Sequence, residues 1–232
     1  MAFTPNKGSA VLKEFKAHFS VKIRRLAIFQ LIIINFETLA KTGGTFEKKV
    51  FFFTIHFGGN NMEIRHLNGT DAIRYRTLRL QALQMSPEAF GSSYEEEKDA
   101  PLEQYISKLE SDVAFTFGAF DNQELIGTVT FVKETKRKLK HRGSIFALFV
   151  KPDKRKLGVA NALIKEVINK ANELKVIEQI YLSVVASNIA AKNLYSKFGF
   201  HTFALEKHAL KMENQYFDEE HMVLFLQQQK ES

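Results

Sequence analysis

The sequence predicts a mixed α/β domain, in which strands and helices alternate around one sheet. From Met62 onward the apolar residues follow a period of two or of 3.6, so each segment can be assigned to a strand or a helix. Gly, Pro and Asp-Asn turn signals separate these segments. The predicted order is β-α-α-β-β-β-α-β-α-β-β, and a chain of 232 residues is long enough for one such domain.

The first predicted elements are a strand and a helix. "MEIRHLN" (62–68) alternates between apolar and polar residues, which indicates a strand. "TDAIRYRTLRLQAL" (70–83) indicates a helix with Thr70 as its N-cap. Four apolar residues are expected on the buried face of this helix: Ile73, Leu78, Leu80 and Leu83.

A loop, a second helix and a hairpin follow. Pro87 and Gly91 mark "SPEAFGSSYEEE" (86–97) as a loop, and "LEQYISKLES" (102–111) is predicted to be helical. "VAFTFGAF" (113–120) and "ELIGTVTFV" (124–132) are predicted strands joined by the turn "DNQ".

The second half of the domain repeats strand and helix and ends in two strands. A basic segment (133–142) precedes the strand "SIFALFV" (144–150). The remaining predicted elements are a helix at 158–174, a strand at 179–185, a helix at 190–198 and strands at 201–210 and 221–226.

Residues 1–61 differ in composition from the rest of the chain. They hold 9 Lys or Arg against 3 Asp or Glu, so they carry +6 of the net charge of +7, and they contain 10 of the 22 Phe. The rest of the chain is close to neutral, which argues against a nucleic-acid-binding protein. We expect an N-terminal extension at 1–61 and a domain at 62–229.

Residues 1–61 are open to three interpretations. The apolar stretch 26–36 is interrupted by Gln30 and Asn35 and is too short for a membrane anchor. A signal peptide would begin far from the terminus and lacks a convincing cleavage site. The third hypothesis is that translation starts at Met62, because "GGNNM" can be encoded by GGA GGT AAT AAT ATG, which places a ribosome-binding sequence before the ATG.

Composition limits the chemistry. The chain has no Cys, which excludes disulfides, thiolate metal sites and a Cys nucleophile. Its seven His, at positions 18, 56, 66, 141, 201, 208 and 221, show no H-E-x-x-H or similar spacing. We expect no metal.

The turn "RKLGVA" (155–160) joins a predicted strand to a predicted helix. Free backbone N–H groups at a helix N-terminus form an anion site, Gly158 lets the main chain approach the anion, and Ala160 keeps the first turn small. The pattern is neither a P-loop nor a dinucleotide motif. An ordinary strand-to-helix connection is the alternative, and in either case we expect substitution of Gly158 to change stability little.

A second segment, "SNIAAKNLYSKFGF" (187–200), also follows a predicted strand. Asn188, Ala191 and Tyr195 are spaced i, i+3, i+7 and so share one helix face. The alternative is structural, with Tyr195 a core aromatic and Asn188 a helix cap.

Together, "FVKPDKRKLGVANALI" and "NIAAKNLYSKFGF" resemble the two signature segments of the GNAT superfamily of acyl-CoA-dependent N-acyltransferases. The resemblance covers about 62–227 and implies a GNAT-type, mostly antiparallel sheet flanked by helices. "PEAFGSSYEEE" and "ALKMENQYFDEEHM" resemble segments of an uncharacterised prokaryotic branch, which names no substrate.

The resemblance also implies roles for individual residues. The turn would hold the pyrophosphate of CoA, and the edge of the strand, mainly Leu148 and Val150, would pair with the pantetheine amides. Tyr195 would be the general acid that protonates the departing thiolate. The implied CoA-binding residues are Leu148, Phe149, Val150, Arg155, Lys156, Leu157, Gly158, Val159, Ala160, Asn188, Ala191 and Asn193.

The sequence leaves the general base open. "SIFALFV" carries no carboxylate, although many relatives place a Glu there. Five acidic residues are candidates, and each can equally be a solvated loop charge: Glu95, Glu96, Glu97, Asp218 and Glu219. A backbone N–H near Phe149 or Val150 is expected to polarise the thioester carbonyl.

The basic segment also has alternatives. Its Lys and Arg residues could meet the 3′-phosphate of CoA, an acidic acceptor or nucleic acid, or could form a solvated hairpin tip.

The predicted function is transfer of an acetyl group from acetyl-CoA to a primary amine of a small molecule or peptide, by direct attack in a ternary complex. The alternative is a regulatory module that binds acyl-CoA without turnover. We expect a cytoplasmic enzyme of the EC 2.3.1 class with acetyl-CoA and an amine as partners, no nucleic-acid or membrane partner, and a homodimer as a further expectation. The sequence does not identify the acceptor.

Overall fold

The computed structural model describes residues 62–226, which form a seven-stranded sheet in the order β1-β2-β3-β4-β5-β7-β6. β4 and β5 are parallel, and the other neighbouring strands pair antiparallel. This confirms the mixed, mostly antiparallel sheet. The strands are β1 Met62–His66, β2 Ala114–Asp121, β3 Glu124–Lys133, β4 Arg142–Val150, β5 Gln179–Val185, β6 His201–Met212 and β7 Gln215–Phe225.

Five α-helices connect these strands: α1 Ala72–Met85, α2 Tyr94–Glu97, α3 Leu102–Leu109, α4 Val159–Glu173 and α5 Ile189–Lys197. Single 3₁₀ turns at Gly69–Asp71, Pro87–Ala89 and Pro152–Lys154 complete the path. The expectations for residues 1–61 and 227–229 lie outside the described residues.

The helices cover the two faces of the sheet with separate apolar cores. On one face α4 and α5 pack over the middle of the sheet, with Leu163, Val167 and Ile180 at their centre. On the other face α1 and α3 pack over the N-terminal strands, around Tyr75 and Phe149. We call these the α4 face and the α1 face.

The start of α1 differs from the prediction. The prediction of Thr70 as N-cap is wrong, because Asn68 caps a preceding 3₁₀ turn and accepts from the Thr70 N–H at 3.0 Å. Asp71 stands at the N-cap of α1 without a capping bond of its own. Its carboxylate is only 1% exposed and accepts two hydrogen bonds of 2.7 Å from Arg65. These bonds lower the pKa of Asp71, since they favour its charged form.

The buried face of α1 is also shifted relative to the prediction. Leu78 and Leu83 are buried as expected, together with Tyr75. Ile73 is 67% exposed and Leu80 is half-buried. Ile73 precedes Tyr75 by two residues and therefore lies on the far side of the helix, with Leu80 seven residues further along on that same side.

Two further boundaries were not predicted. The segment 86–97, predicted to be a loop, contains a 3₁₀ turn and the one-turn helix α2, which Ser93 and Glu96 hold by a capping box. β7 begins at Gln215, six residues before the predicted start. The polar residues there extend a long hairpin with β6, in which Met212 pairs with Gln215.

Candidate active site

β4 and β5 separate after a short parallel contact. The ladder joins Arg142, Gly143 and Ser144 to 179–181 of β5 and then stops, although β4 continues to Val150 and β5 to Val185. The two strands therefore leave a gap between their C-terminal halves, which we call the split. Backbone groups of β4 that face the split are available to an extended ligand.

A β-bulge determines which groups of β4 face the split. The pairing with β3 changes from Thr130 with Phe146 to Thr128 with Phe149, so β4 has one extra residue, and Ala147 takes a positive φ of 53°. Because of this residue, Ile145 packs on the α4 face whereas Phe149 packs on the α1 face.

Beyond the bulge, the backbone N–H and C=O groups of β4 alternate between β3 and the split. The Lys151 N–H donates to the Ile126 carbonyl at 2.9 Å, toward β3. In an antiparallel ladder every second residue points to the same neighbour, so Phe149 also faces β3 whereas Leu148 and Val150 face the split. These are the two residues whose backbone was expected to pair with a pantetheine arm.

The turn after β4 is exposed to solvent at the start of α4. Gly158 is the N-cap with φ 84°, and no side chain among the described residues caps the helix. The Arg155 side chain donates to the Val150 carbonyl at 3.1 Å, which fixes the turn to the end of β4. Lys156 also has a positive φ and is exposed, so cations and free N–H groups surround the position.

The remaining predicted residues of this turn divide between core and surface. Val159 is buried in the core on the α4 face, and Ala160 packs against that core. Leu157, in contrast, is 55% exposed.

The second predicted segment forms α5, directly after β5. The Asn188 side-chain carbonyl accepts from the Ala191 N–H at 3.0 Å, so Asn188 is a helix cap, and its NH₂ group stays available as a donor. Ala191 packs against the α4-face core and Asn193 is exposed.

Tyr195 lies on the inner side of α5. It is 6% exposed and its ring meets Phe200 edge-on at a centroid distance of 5.9 Å. Burial raises the pKa of Tyr195 well above that of an ordinary tyrosine, because the phenolate is poorly solvated there. The hydroxyl therefore keeps its proton at neutral pH.

Comparison with known protein families now identifies the domain. A family model for an acetyltransferase (GNAT) domain matches residues 64–221. The chain belongs to the GNAT acetyltransferase family. No curated protein matches the chain.

Solved structures share this fold. A probable acetyltransferase from Staphylococcus epidermidis is 27% identical, with a TM-score of 0.61, over 72% of this chain and 99% of that one. A GNAT-family acetyltransferase from Streptococcus pneumoniae is 21% identical, with a TM-score of 0.62, over 71% and 99% of the two chains. Arabidopsis thaliana NAA60 in complex with acetyl-CoA is 24% identical, with a TM-score of 0.56, over 71% and 98%.

Four of the five acidic residues considered as the general base of the GNAT domain have structural partners. Glu95 pairs with Lys98, Glu96 caps α2, and Asp218 accepts from the His208 N–H.

Glu97 has a structural partner as well. Burial alone would raise the pKa of the Glu97 carboxyl, but its hydrogen bonds and ion pair with Arg79, 2.7 Å away, outweigh burial and lower it.

Glu219 is different. Burial raises the pKa of its carboxyl, and among the described residues no cation forms a salt bridge with it.

A group of polar residues on the α1 face of β5, β6 and β7 was not predicted from the sequence. The Ser183 hydroxyl lies 2.8 Å from His221 Nδ1, and His221 Nε2 lies 2.9 Å from Glu206 Oε2. These residues are far apart in sequence and no motif connects them. The available signal was the alternation along β5 and β7. Residues 182 and 222 are buried on one face of the sheet, so their neighbours 183 and 221 lie on the other face.

A cavity of about 270 Å³ opens beside this group. Side chains of β4, β5, β6 and β7, together with Glu134 just after β3, surround it. They are Glu134, Arg142, Ser144, Phe146, Tyr181, Leu182, Ser183, Phe203 and His221.

Two further properties concern only the described part of the chain. Between residues 62 and 226, no helix is long and apolar enough to cross a membrane. Over the same range, no three His, Asp or Glu side chains come together in an arrangement that could hold a metal ion.

Proposed function

We propose that this GNAT domain is an N-acetyltransferase that uses acetyl-CoA to acetylate a primary amine of a small molecule or peptide. The amine nitrogen attacks the thioester carbonyl carbon directly in a ternary complex, the C–N bond forms, and the C–S bond breaks. The observation that carries the proposal is the split between β4 and β5, which has the Gly158 turn at one side and Tyr195 on the helix after β5.

The split and the turn suit the two halves of acetyl-CoA. The pantetheine arm has amide groups and can add to the free edge of β4 at Leu148 and Val150 as an extra strand. The pyrophosphate then lies at the N-terminus of α4, where N–H groups, Arg155 and Lys156 offset its charge. The acetyl-CoA complex of NAA60, a protein of the same fold, supports this choice of cosubstrate.

Tyr195 suits the role of general acid. A thiolate must leave as the C–S bond breaks, and a protonated phenol close to it can supply the proton. The burial that raises the pKa of Tyr195 ensures that the phenol is protonated throughout the neutral range. The Leu148 N–H, which also faces the split and lies nearer the bulge, is the proposed donor to the developing oxyanion, so the Val150 N–H is left to the pantetheine arm.

An acceptor screen tests the proposal. Acetyl-CoA binding is measured by calorimetry, and thiol release and product mass are measured with a panel of primary amines and peptides. We expect binding, together with thiol release that depends on at least one amine. Binding without thiol release for every amine would instead support a regulatory acyl-CoA-binding module.

A further inference from the structure

Ser183, His221 and Glu206 form a continuous hydrogen-bonded chain across three strands of the C-terminal half of the sheet. β5 supplies Ser183, β7 supplies His221 opposite it in register, and β6 supplies Glu206. The Ser183 hydroxyl is 2.8 Å from His221 Nδ1, and Nε2 of the same ring is 2.9 Å from Glu206 Oε2.

The chemistry of these groups determines the tautomer. An ionised carboxylate only accepts, so Nε2 of a neutral His221 must carry the proton and donate it to Glu206. Nδ1 is then the unprotonated nitrogen and accepts from the Ser183 hydroxyl. A proton that reaches the Ser183 oxygen can pass to Nδ1, and the carboxylate of Glu206 stabilises the imidazolium that forms.

These three hydrogen-bonded residues lie close to the split. Ser183 and His221 line the cavity together with Phe146, the residue just before the bulge of β4. The cavity lies on the α1 face, whereas the helix that begins at Gly158 packs on the α4 face. An acceptor amine can therefore approach the split from one face while acetyl-CoA approaches from the other.

Other charged groups surround His221. Glu219 lies two residues before it on β7, and Glu134 and Arg142 also line the cavity. The Arg142 guanidinium is held 4.2 Å above the Tyr181 ring. His221 itself is 29% exposed and its ring lies 6.1 Å from that of Phe203. The carboxylates on this face suit an acceptor that arrives as an ammonium.

We propose that Ser183 and His221, oriented by Glu206, form the proton relay that deprotonates the acceptor ammonium. This inference rests on the proposed function. An N–H bond of the ammonium breaks as its proton passes to the Ser183 oxygen, and the Ser183 hydroxyl proton passes to His221 Nδ1. The neutral amine then attacks the thioester, and His221 returns its proton to solvent.

The test uses His221→Gln, with His201→Gln as a matched control. His201 stacks on Phe225 at 5.7 Å and does not line the cavity. Acetyl transfer is measured by thiol release between pH 6 and 9. The acceptors are aniline, whose amine is neutral at pH 7, and the alkylamine 2-phenylethylamine. If the wild-type enzyme does not acetylate 2-phenylethylamine, the primary alkylamine of the panel that it acetylates fastest takes its place.

For the alkylamine at pH 7, His221→Gln should lower kcat/KM by about 10²- to 10⁴-fold, the range typical of general base catalysis. The deficit should narrow as pH rises, because solvent then supplies the neutral amine. With aniline, which needs no prior deprotonation, kcat/KM should fall much less. Acetyl-CoA affinity should be unchanged, and His201→Gln should match the wild type in all respects.

Glu206→Gln tests the orienting role separately. The amide keeps a hydrogen bond to the ring but removes the negative charge, so protonated His221 becomes less stable. For the alkylamine at pH 7, kcat/KM should therefore fall, while kcat/KM for aniline and the acetyl-CoA affinity stay unchanged, which a purely structural role would not cause.

Several results would overturn the relay. One is full activity of His221→Gln with the alkylamine at pH 7, and another is a loss that is equal for both amines at every pH. A comparable loss in Glu219→Gln with His221→Gln unaffected would assign the base to Glu219. Failure of the wild-type protein to release thiol with any amine, despite binding acetyl-CoA, would instead refute the proposed function and the relay with it.

Discussion

Gly158 allows the proposed cofactor turn to be tested with a matched pair of variants. Its φ of 84° lies in the left-handed region, and a Cβ added there would meet no atom within 4 Å. Any other residue therefore brings backbone strain but no clash, at a cost of about 1–2 kcal/mol. The expectation that substitution would change stability little is wrong for this reason.

Gly158→Ala measures the strain alone, and Gly158→Glu adds a negative charge at the proposed phosphate position. For a domain of this size, 1 kcal/mol corresponds to about 2–4 °C in Tm, so both variants should melt roughly 2–8 °C below the wild type without ligand. Two like charges 4 Å apart repel by about 4 kcal/mol at an effective dielectric of 20. Because the turn is exposed and screened by salt, we expect Gly158→Glu to bind acetyl-CoA at least about tenfold more weakly than Gly158→Ala.

The assays are thermal melts without ligand and calorimetric titration with acetyl-CoA at low and high salt. The difference in affinity between the two variants should narrow as salt increases, since it arises from charge repulsion. Equal affinities of the Ala and Glu variants at low salt would show that the turn only connects β4 to α4.

Three other predictions concern the start of the domain at Met62, the proposed general acid Tyr195 and the buried carboxylate of Asp71. A chain that begins at Met62 should fold and bind acetyl-CoA like the full chain; loss of the thermal transition or of calorimetric affinity would show that residues 1–61 are needed. Tyr195→Phe should lower kcat by about 10²- to 10⁴-fold under chemistry-limited conditions, with acetyl-CoA affinity little changed. The loss should narrow above the pKa of the CoA thiol, and an unchanged kcat would make Tyr195 a packing residue. Asp71→Asn should lower the free energy of unfolding at pH 7 by about 2 kcal/mol in denaturant titrations, because the charged hydrogen bonds from Arg65 are lost. The pKa of Asp71 is lowered in the fold, so its contribution is full above about pH 4 and is lost as pH falls further. A variant with the same acid sensitivity as the wild type would contradict this assignment.

Where the local pattern was strong, the sequence predicted the elements closely. The β5 strand was predicted at 179–185 and is found at Gln179–Val185, and α4 was predicted at 158–174 and is found at Val159–Glu173. The "DNQ" turn also joins β2 to β3 as expected, with Asn122 and Gln123 both at positive φ, as a two-residue hairpin requires.

The errors occurred where distant contacts outweigh the local pattern. α1 buries Tyr75 instead of Ile73 because the sheet and α3 determine which stripe of the helix is covered. The early part of β7 is polar, and it is a strand because β6 pairs with it along the hairpin. Neither effect leaves a periodic signal within the segment itself.

In the candidate site, too, the residues that are neighbours in sequence could be predicted and those that meet across strands could not. Two contiguous segments, around Gly158 and around Tyr195, could be located from the sequence, and the family match confirms that they belong to a GNAT domain. The roles of the individual residues in them remain predictions. The proposed proton relay could not be found in this way, because Ser183, Glu206 and His221 meet only through the register of three strands.

The sequence by itself therefore determined the order of elements, the family and the two segments proposed to hold acetyl-CoA, since each depends on residues that are neighbours along the chain. Only the tertiary structure decided the split between β4 and β5, the direction of the backbone beyond the bulge at Ala147, and the group around His221. These features depend on where strand pairing stops and which residues face each other across strands. Such pairings join residues that are far apart along the chain, as Ser183 and His221 are at a separation of 38 positions, and are settled by packing of the whole sheet.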